Sequence, residues 1–231
     1  FEWLLSSAEQ GYAQAQSVLG IFYYYGRGPI EVDCAKALEW LNKAAEQRLT
    51  TAQFNLGMIY CTVNDCVKYD YYTARDWLAK AAAQNHLDAQ WNLGLLLVKQ
   101  WSPYAREKMD DYNTGMQWLY KAADQNSAYA QYHIGTIYKN GVGMDKPDNI
   151  KAVEWLRKAA ENGWLVAQVE LAEFLLANRE LGTEDERNAE AHKWLLGAAE
   201  KDDITALWRL ANIYRYGNSV TTINYDSALG Y

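Results

Sequence analysis

One motif governs what this chain can fold into. A tryptophan followed by small residues recurs as WLLSSAE from Trp3, WLNKAAE from Trp40, WLAKAAA from Trp77, WLYKAAD from Trp118, WLRKAAE from Trp155 and WLLGAAE from Trp194. The spacings are 37, 37, 41, 37 and 39 residues. A second series keeps the same intervals: Leu19-Gly20, Leu56-Gly57, Leu93-Gly94, Ile134-Gly135, Leu171-Ala172 and Leu210-Ala211. So does a third: Ala15-Gln16, Ala52-Gln53, Ala89-Gln90, Ala130-Gln131 and Ala167-Gln168, ending in Ala206-Leu207. Series held in register at a period of roughly 20–50 residues define stacked supersecondary units.

Each unit reads as two helices. In the second, helix A covers about 51–62, with Ala52, Leu56, Ile59 and Tyr60 on one side. Helix B covers about 71–84, with Ala74, Trp77, Leu78 and Ala81 on one side. Both patterns have the helical period. Pro29, Pro103 and Pro147, with Gly26, Gly28, Gly141 and Gly143, fall between A and B and punctuate the chain there. Asp33, Asp70, Asp111, Asp148 and Asp226 precede the tryptophan register by seven residues and are expected to cap helix B. They lie too far apart to share one metal ion. Gly11, Asn85, Asn126, Gly163 and Asp202 tolerate the left-handed backbone that ends a helix, and Arg48 breaks this rule.

A glycine inside a helix costs about 1 kcal/mol relative to alanine. Its recurrence at Gly20, Gly57, Gly94 and Gly135 predicts a large side chain of a neighbouring helix close to the backbone. The six tryptophans are expected to be core anchors that fill the space left by small residues in an adjoining unit. The prediction is an all-α, single repeat array over 1–231. Residues 1–12 end a preceding helix B, repeats cover about 13–48, 50–85, 87–126, 128–163 and 165–202, and a partial repeat covers 204–231.

Composition narrows the function classes. A net charge of -7 suits neither a nucleic-acid backbone nor an anionic membrane. No apolar run approaches the roughly 20 residues that span a bilayer. The chain begins and ends inside the repeat, which points to a segment of a longer protein and leaves any targeting sequence unseen. Of three cysteines, Cys61 and Cys66 share one predicted loop. A disulfide between them would indicate an exported protein; the alternative is three free thiols, with Cys34 in a helix.

The string LGIFYYYGRGPIEVDCAKALEWLNKAAEQ, residues 19–47, resembles the Sel1-like repeat, a relative of the tetratricopeptide repeat. IGTIYKNGVGMDKPDNIKAVEWLRKAAENG, residues 134–163, matches nearly as well. Two loops depart from the pattern, KQWSPYAREKMDD in the third unit and ANRELGTEDERN in the fifth. The resemblance implies a right-handed superhelix of antiparallel helix pairs that binds other proteins as an adaptor, with many bacterial members exported. It implies no catalytic machinery and no cofactor. The residues agree: His86, His133 and His192 fall in three units, no HExxH or repeated Cys-x-x-Cys pair exists, and the glycine loops lack the ending of a phosphate-binding loop.

A partner is expected on the helix A positions not used for core. These are Ser17, Ile21, Tyr24; Phe54, Met58, Cys61; Trp91, Leu95, Val98; Tyr132, Thr136, Lys139; Val169, Glu173, Leu176; and Trp208, Asn212, Arg215. A solvated face should be polar, and this one is aromatic. The candidate contacts are Tyr24, Phe54, Met58, Trp91, Leu95, Tyr132, Trp208 and Arg215, with Trp101 in the long loop. The competing packing reading makes these rings ordinary core between A helices. In function, an adaptor, a scaffold, or an immunity-type inhibitor of an enzyme fits such a face. Carbohydrate or cell-wall recognition through Trp91, Trp101 and Trp208 is the alternative. A periplasmic or secreted location is expected, with the cytoplasm also open.

Overall fold

A computed structural model describes residues 1–99 and 109–216. These residues form twelve α-helices and no strand: α1 (Glu2–Glu9), α2 (Ala13–Tyr25), α3 (Cys34–Glu46), α4 (Thr50–Tyr60), α5 (Tyr71–Ala83), α6 (Leu87–Lys99), α7 (Met109–Ala123), α8 (Ala128–Asn140), α9 (Asn149–Glu161), α10 (Leu165–Ala177), α11 (Glu184–Ala199) and α12 (Ile204–Tyr216). A 3-10 turn, Arg179–Leu181, precedes α11. Even-numbered helices are the A helices and odd-numbered ones the B helices. The chain divides within α7 into two compact units, 1–100 with 107–118, and 101–106 with 119–231.

The helix boundaries follow local chemistry. Asp33 accepts a hydrogen bond from the Lys36 amide at 3.0 Å, Asp70 from Tyr72 and Thr73 at 3.1 and 3.2 Å, and Asp148 from Lys151 at 3.0 Å. These are N-caps. Asp111 is not one, because α7 has already begun at Met109; its carboxylate instead accepts from the Tyr71 hydroxyl at 3.4 Å. Asp226 lies outside the described residues. In the fifth hairpin the capping register holds Arg187, which is buried and donates to the carbonyls of Leu175 and Gly182 at 3.1 and 3.3 Å. Here α11 starts earlier, on a capping box between Thr183 and Glu186. The expected helix B ends all adopt positive φ, from 60° at Asp202 to 90° at Gly11, and so does Arg48 at 64°.

The core corrects one expectation. A Cβ on Gly20 would lie 2.7 Å from Leu41, one on Gly57 2.7 Å from Leu78, and one on Gly135 2.9 Å from Leu156. The large side chain is therefore the leucine after the tryptophan, on helix B of the same hairpin, and all three leucines are fully buried. The tryptophans occupy a different place. Trp40, Trp77, Trp118 and Trp155 are half-buried, Trp194 is 8% exposed and Trp3 is 91% exposed. The physical reason is the helical period: one residue is a 100° rotation, so only one of two adjacent side chains can point at the partner helix axis. Within the first unit, Trp77 covers the cluster of Leu41, Ala44, Ala45, Ala52, Leu56 and Ile59 from the side. Its outer face carries the Lys80 ammonium at 3.8 Å, as Lys43 sits 4.2 Å over Trp40 and Lys158 4.0 Å over Trp155.

The third hairpin makes its close approach differently. A Cβ on Gly115, where the other hairpins carry alanine, would fall 2.7 Å from the Gly94 carbonyl oxygen, so α6 and α7 meet backbone to backbone.

The Ala-Gln series forms a buried ladder. Gln16, Gln53, Gln131 and Gln168 each donate to a carbonyl eight residues back, on Ala8, Ala45, Ala123 and Ala160, at 3.0–3.2 Å. Gln90 makes the same bond to Ala82 at 3.4 Å. These carbonyls lie in the last turn of the preceding helix B, where each also accepts the backbone amide three residues on. The carboxamide oxygens accept from the next helix B: Gln47 to Gln16 at 2.7 Å, Gln84 to Gln53 at 2.8 Å and Asn162 to Gln131 at 2.7 Å. Gln168 has a buried oxygen with no donor, because the equivalent position holds the exposed Lys201. The ladder joins each hairpin to its neighbour, and the sequence showed its register but not its bonds.

Candidate interaction site

In the first unit the A-helix face is apolar. Ile21, Tyr24 and Tyr25 of α2, Asn55, Met58 and Ile59 of α4, and Thr62 just after α4 line an open cleft of about 220 Å³. Tyr24 and Ile21 rest on the cluster around Leu41 and Leu56. Phe54, Met58 and Cys61 rest on the cluster around Leu78 and Leu93. All five are half-buried, so each is packed on one side and open on the other. Phe54 also stacks on His86 with ring centroids 4.8 Å apart. Trp91 and Leu95 of α6 are half-buried, and the Trp91 indole donates to Asp88 at 3.1 Å. Burial raises the Tyr24 phenol above its ordinary value, helped by Tyr25 and the Asp65 carboxylate nearby.

In the second unit the same positions carry charge. Tyr132 donates to Glu170 at 2.6 Å, and Lys139 pairs with the other oxygen of that carboxylate at 2.8 Å. Burial and the Glu170 bond push the Tyr132 phenol well above its ordinary value. Glu173 pairs with Arg209 at 2.7 Å. Trp208 is 59% exposed, with the Arg209 guanidinium 5.1 Å from its centroid, and Arg215 is exposed. Trp101 lies outside the described residues.

The cysteine pairing is corrected. The disulfide joins Cys34 to Cys66, and Cys61 is free. Cys34 opens α3, Cys66 stands in the 61–70 loop after α4, and their Cα atoms are 4.9 Å apart. The A–B loops of successive hairpins thus lie side by side. Cys61 caps α4 and turns into the core beside Phe54 and Met58, and burial raises its thiol above the ordinary value.

Two further clefts, of about 420 and 370 Å³, lie at the ends of helices B. One is lined by Glu46, Arg48, Gln53 and Trp77, the other by Asp124, Asn126, Gln131 and Trp155, at equivalent positions. Their tryptophan faces already hold Lys80 and Lys158. Among the described residues no group of three or more His, Cys, Asp or Glu side chains is placed to hold a metal ion, and no helix is long and apolar enough to cross a membrane.

Helix hairpins joined through one recurrent set of contacts define an α-solenoid of the repeat class. The chain belongs to the Sel1 repeat family, whose model matches residues 1–12, 13–49, 50–86, 87–127, 128–164, 166–203 and 204–231. It is similar to the solved structure of c5321, a protective antigen of uropathogenic Escherichia coli with an SLR fold: 32% identity, TM-score 0.80, over 98% of this chain and 46% of that one. A Sel1 repeat protein from Oxalobacter formigenes is similar at 27% identity and TM-score 0.76, over 99% of this chain and 63% of that one. The chain therefore spans less than two thirds of either protein's length. A putative Sel1 repeat protein from Klebsiella pneumoniae, at 22% identity and TM-score 0.52 over 91% and 97%, shares the fold. No curated protein sequence matches the chain. The family is generally a non-catalytic protein-interaction fold.

Proposed function

We propose that this chain is a non-catalytic binding module whose protein partner seats on the A-helix face of the first unit. The cleft between α2 and α4 carries the proposal. Tyrosine, methionine and isoleucine held half-open by a rigid core, with Asn55 and Thr62 as polar neighbours, match the make-up of an interface centre. The partner is a segment of another protein that the module scaffolds or, in an immunity-type role, blocks. A net charge of -7 steers a basic partner toward it. Of the rings in the glycan alternative, Trp91 is half-buried with its indole donating to Asp88, and Trp208 is exposed beside Arg209; the protein reading rests on the apolar lining of the cleft.

Affinity capture from native extract, followed by calorimetric titration of the captured partner with wild type, Tyr24→Ala and Trp91→Ala, tests the reading. The expected result is a stoichiometric protein whose affinity falls with either variant while the helical circular dichroism holds. Recovery of oligosaccharide without stoichiometric protein would overturn it.

The Cys34–Cys66 bond supports a second proposal, that the module works in an oxidising compartment such as the periplasm or the extracellular space. Thiol counting in denaturant on protein from its native source should find one free cysteine before reduction and three after. Three before reduction would overturn it.

A further inference from the structure

The 61–70 loop has little regular structure to hold it. Asn64 organises it from within, donating to the Ile59 carbonyl at 2.9 Å and accepting from the amides of Cys66 and Val67, each at 2.9 Å. The disulfide to Cys34 and the packing of Val67 on the cluster that also carries Ile21 and Tyr24 tie it to the first hairpin. The same loop supplies Thr62 to the wall of the α2–α4 cleft and sets Asp65 near Tyr24. The Thr62 hydroxyl also donates to the Met58 and Ile59 carbonyls and the Asp70 amide to the Tyr60 carbonyl, which tie the two ends of the loop to α4, while the one covalent bond ties its middle to the first hairpin. Both of its cysteines are partly exposed and open to a reductant.

We propose that Cys34–Cys66 is a redox clasp: oxidised, it holds the 61–70 loop against α3 and keeps the cleft shaped for its partner; reduced, it releases the loop and weakens binding while the helix hairpins stay folded. This rests on the binding reading above. A dithiol reductant supplies the chemistry. Its thiolate attacks one sulfur to form a mixed disulfide and expels the other cysteine as thiolate. Its second thiol then closes the reductant's own disulfide and expels the remaining cysteine. Two electrons pass to the protein, the reductant's two protons end on Cys34 and Cys66, and the reductant leaves as a disulfide. Cys61 stays apart from the exchange: it is half-buried and packed beside Phe54 and Met58, and that burial disfavours the thiolate that would attack.

The test separates the clasp from the binding reading. Hydrogen exchange is followed on the whole chain, oxidised and after dithiothreitol, and on Cys34→Ser, Cys66→Ser and Cys61→Ser. Amide exchange over 62–69 is expected to speed up by about tenfold on reduction and in the Cys34 and Cys66 variants, with helical circular dichroism unchanged and Cys61→Ser like wild type. Unchanged loop exchange on reduction overturns the clasp, whatever the partner does. A global loss of helicity overturns it too, since the bond would then hold the fold and not the loop. Titration of the captured partner closes the test: a fall in affinity on reduction supports the clasp, and equal affinity with a loosened loop overturns it. Equal affinity for Tyr24→Ala and wild type overturns the binding face itself, independently of the exchange result.

Discussion

The two units are built on one plan and differ on one face. In both, a leucine on helix B fills the hollow at a helix A glycine, Leu78 at Gly57 in the first and Leu156 at Gly135 in the second. In both, a buried glutamine closes the end of the preceding helix B. On the A-helix face they part. The first unit shows Ile21, Tyr24, Phe54 and Met58 where the second ties Tyr132, Lys139 and Glu170 into a polar cluster and pairs Glu173 with Arg209. Positions that stack must keep their size and shape, while positions that face outward are free to diverge. A satisfied ion-pair cluster gains little by meeting a partner, since its charges would be desolvated. A half-open apolar cleft gains by being covered. The comparison is the ground for proposing the first unit as the interaction surface.

The largest expected effect probes what the units share. Leu78→Ala and Leu156→Ala each remove a fully buried side chain and should cost about 2–5 kcal/mol in chemical denaturation. Trp77→Ala and Trp155→Ala, at half-exposed rings, should cost less than their leucine neighbours. A leucine variant that is silent in one unit would break the common plan. Next come the faces. Trp91→Ala should weaken the captured partner by about tenfold, roughly 1.4 kcal/mol, while Glu170→Gln leaves affinity within error. The reverse ranking would move the site to the second unit.

Alkali should act on both units through one tyrosine each. Burial and the Asp111 charge push the Tyr71 phenol up to about 12, and burial with the Glu170 bond raises that of Tyr132. A phenol raised on folding favours the protonated native state. Its contribution is complete below the unfolded value near pH 10 and is lost as pH rises through the folded value. Denaturation midpoints should therefore fall above pH 10, modestly because both rings are partly solvated, and Tyr71→Phe or Tyr132→Phe should flatten the curve. The smallest effect concerns the missing rung. Lys201→Gln offers a donor to the orphaned oxygen of Gln168 and should raise stability by about 0.5–1 kcal/mol, completing in the second unit what Gln84 does for Gln53 in the first. No gain would mean that the oxygen is satisfied by water.

The repeat, the hairpins and most helix ends were legible in the amino-acid sequence. Each depends on chemistry local to a few residues: the helical period, an aspartate beside free amides, and a glycine or asparagine at a left-handed turn. Asp111 and Arg187 show the limit, since helices that start early moved both off the capping position. Three things were decided only in three dimensions. Which of two adjacent residues, Trp77 or Leu78, enters the groove at Gly57 depends on how the helices cross. That Cys34 meets Cys66 across 32 residues, and not Cys61 five away, depends on two loops lying side by side. And the face residues were named from period alone, but only tertiary packing separates the open cleft at Tyr24 and Met58 from the paired charges at Lys139 and Glu170. Local rules fix what each hairpin is; the contacts between hairpins fix which side chains remain free to bind.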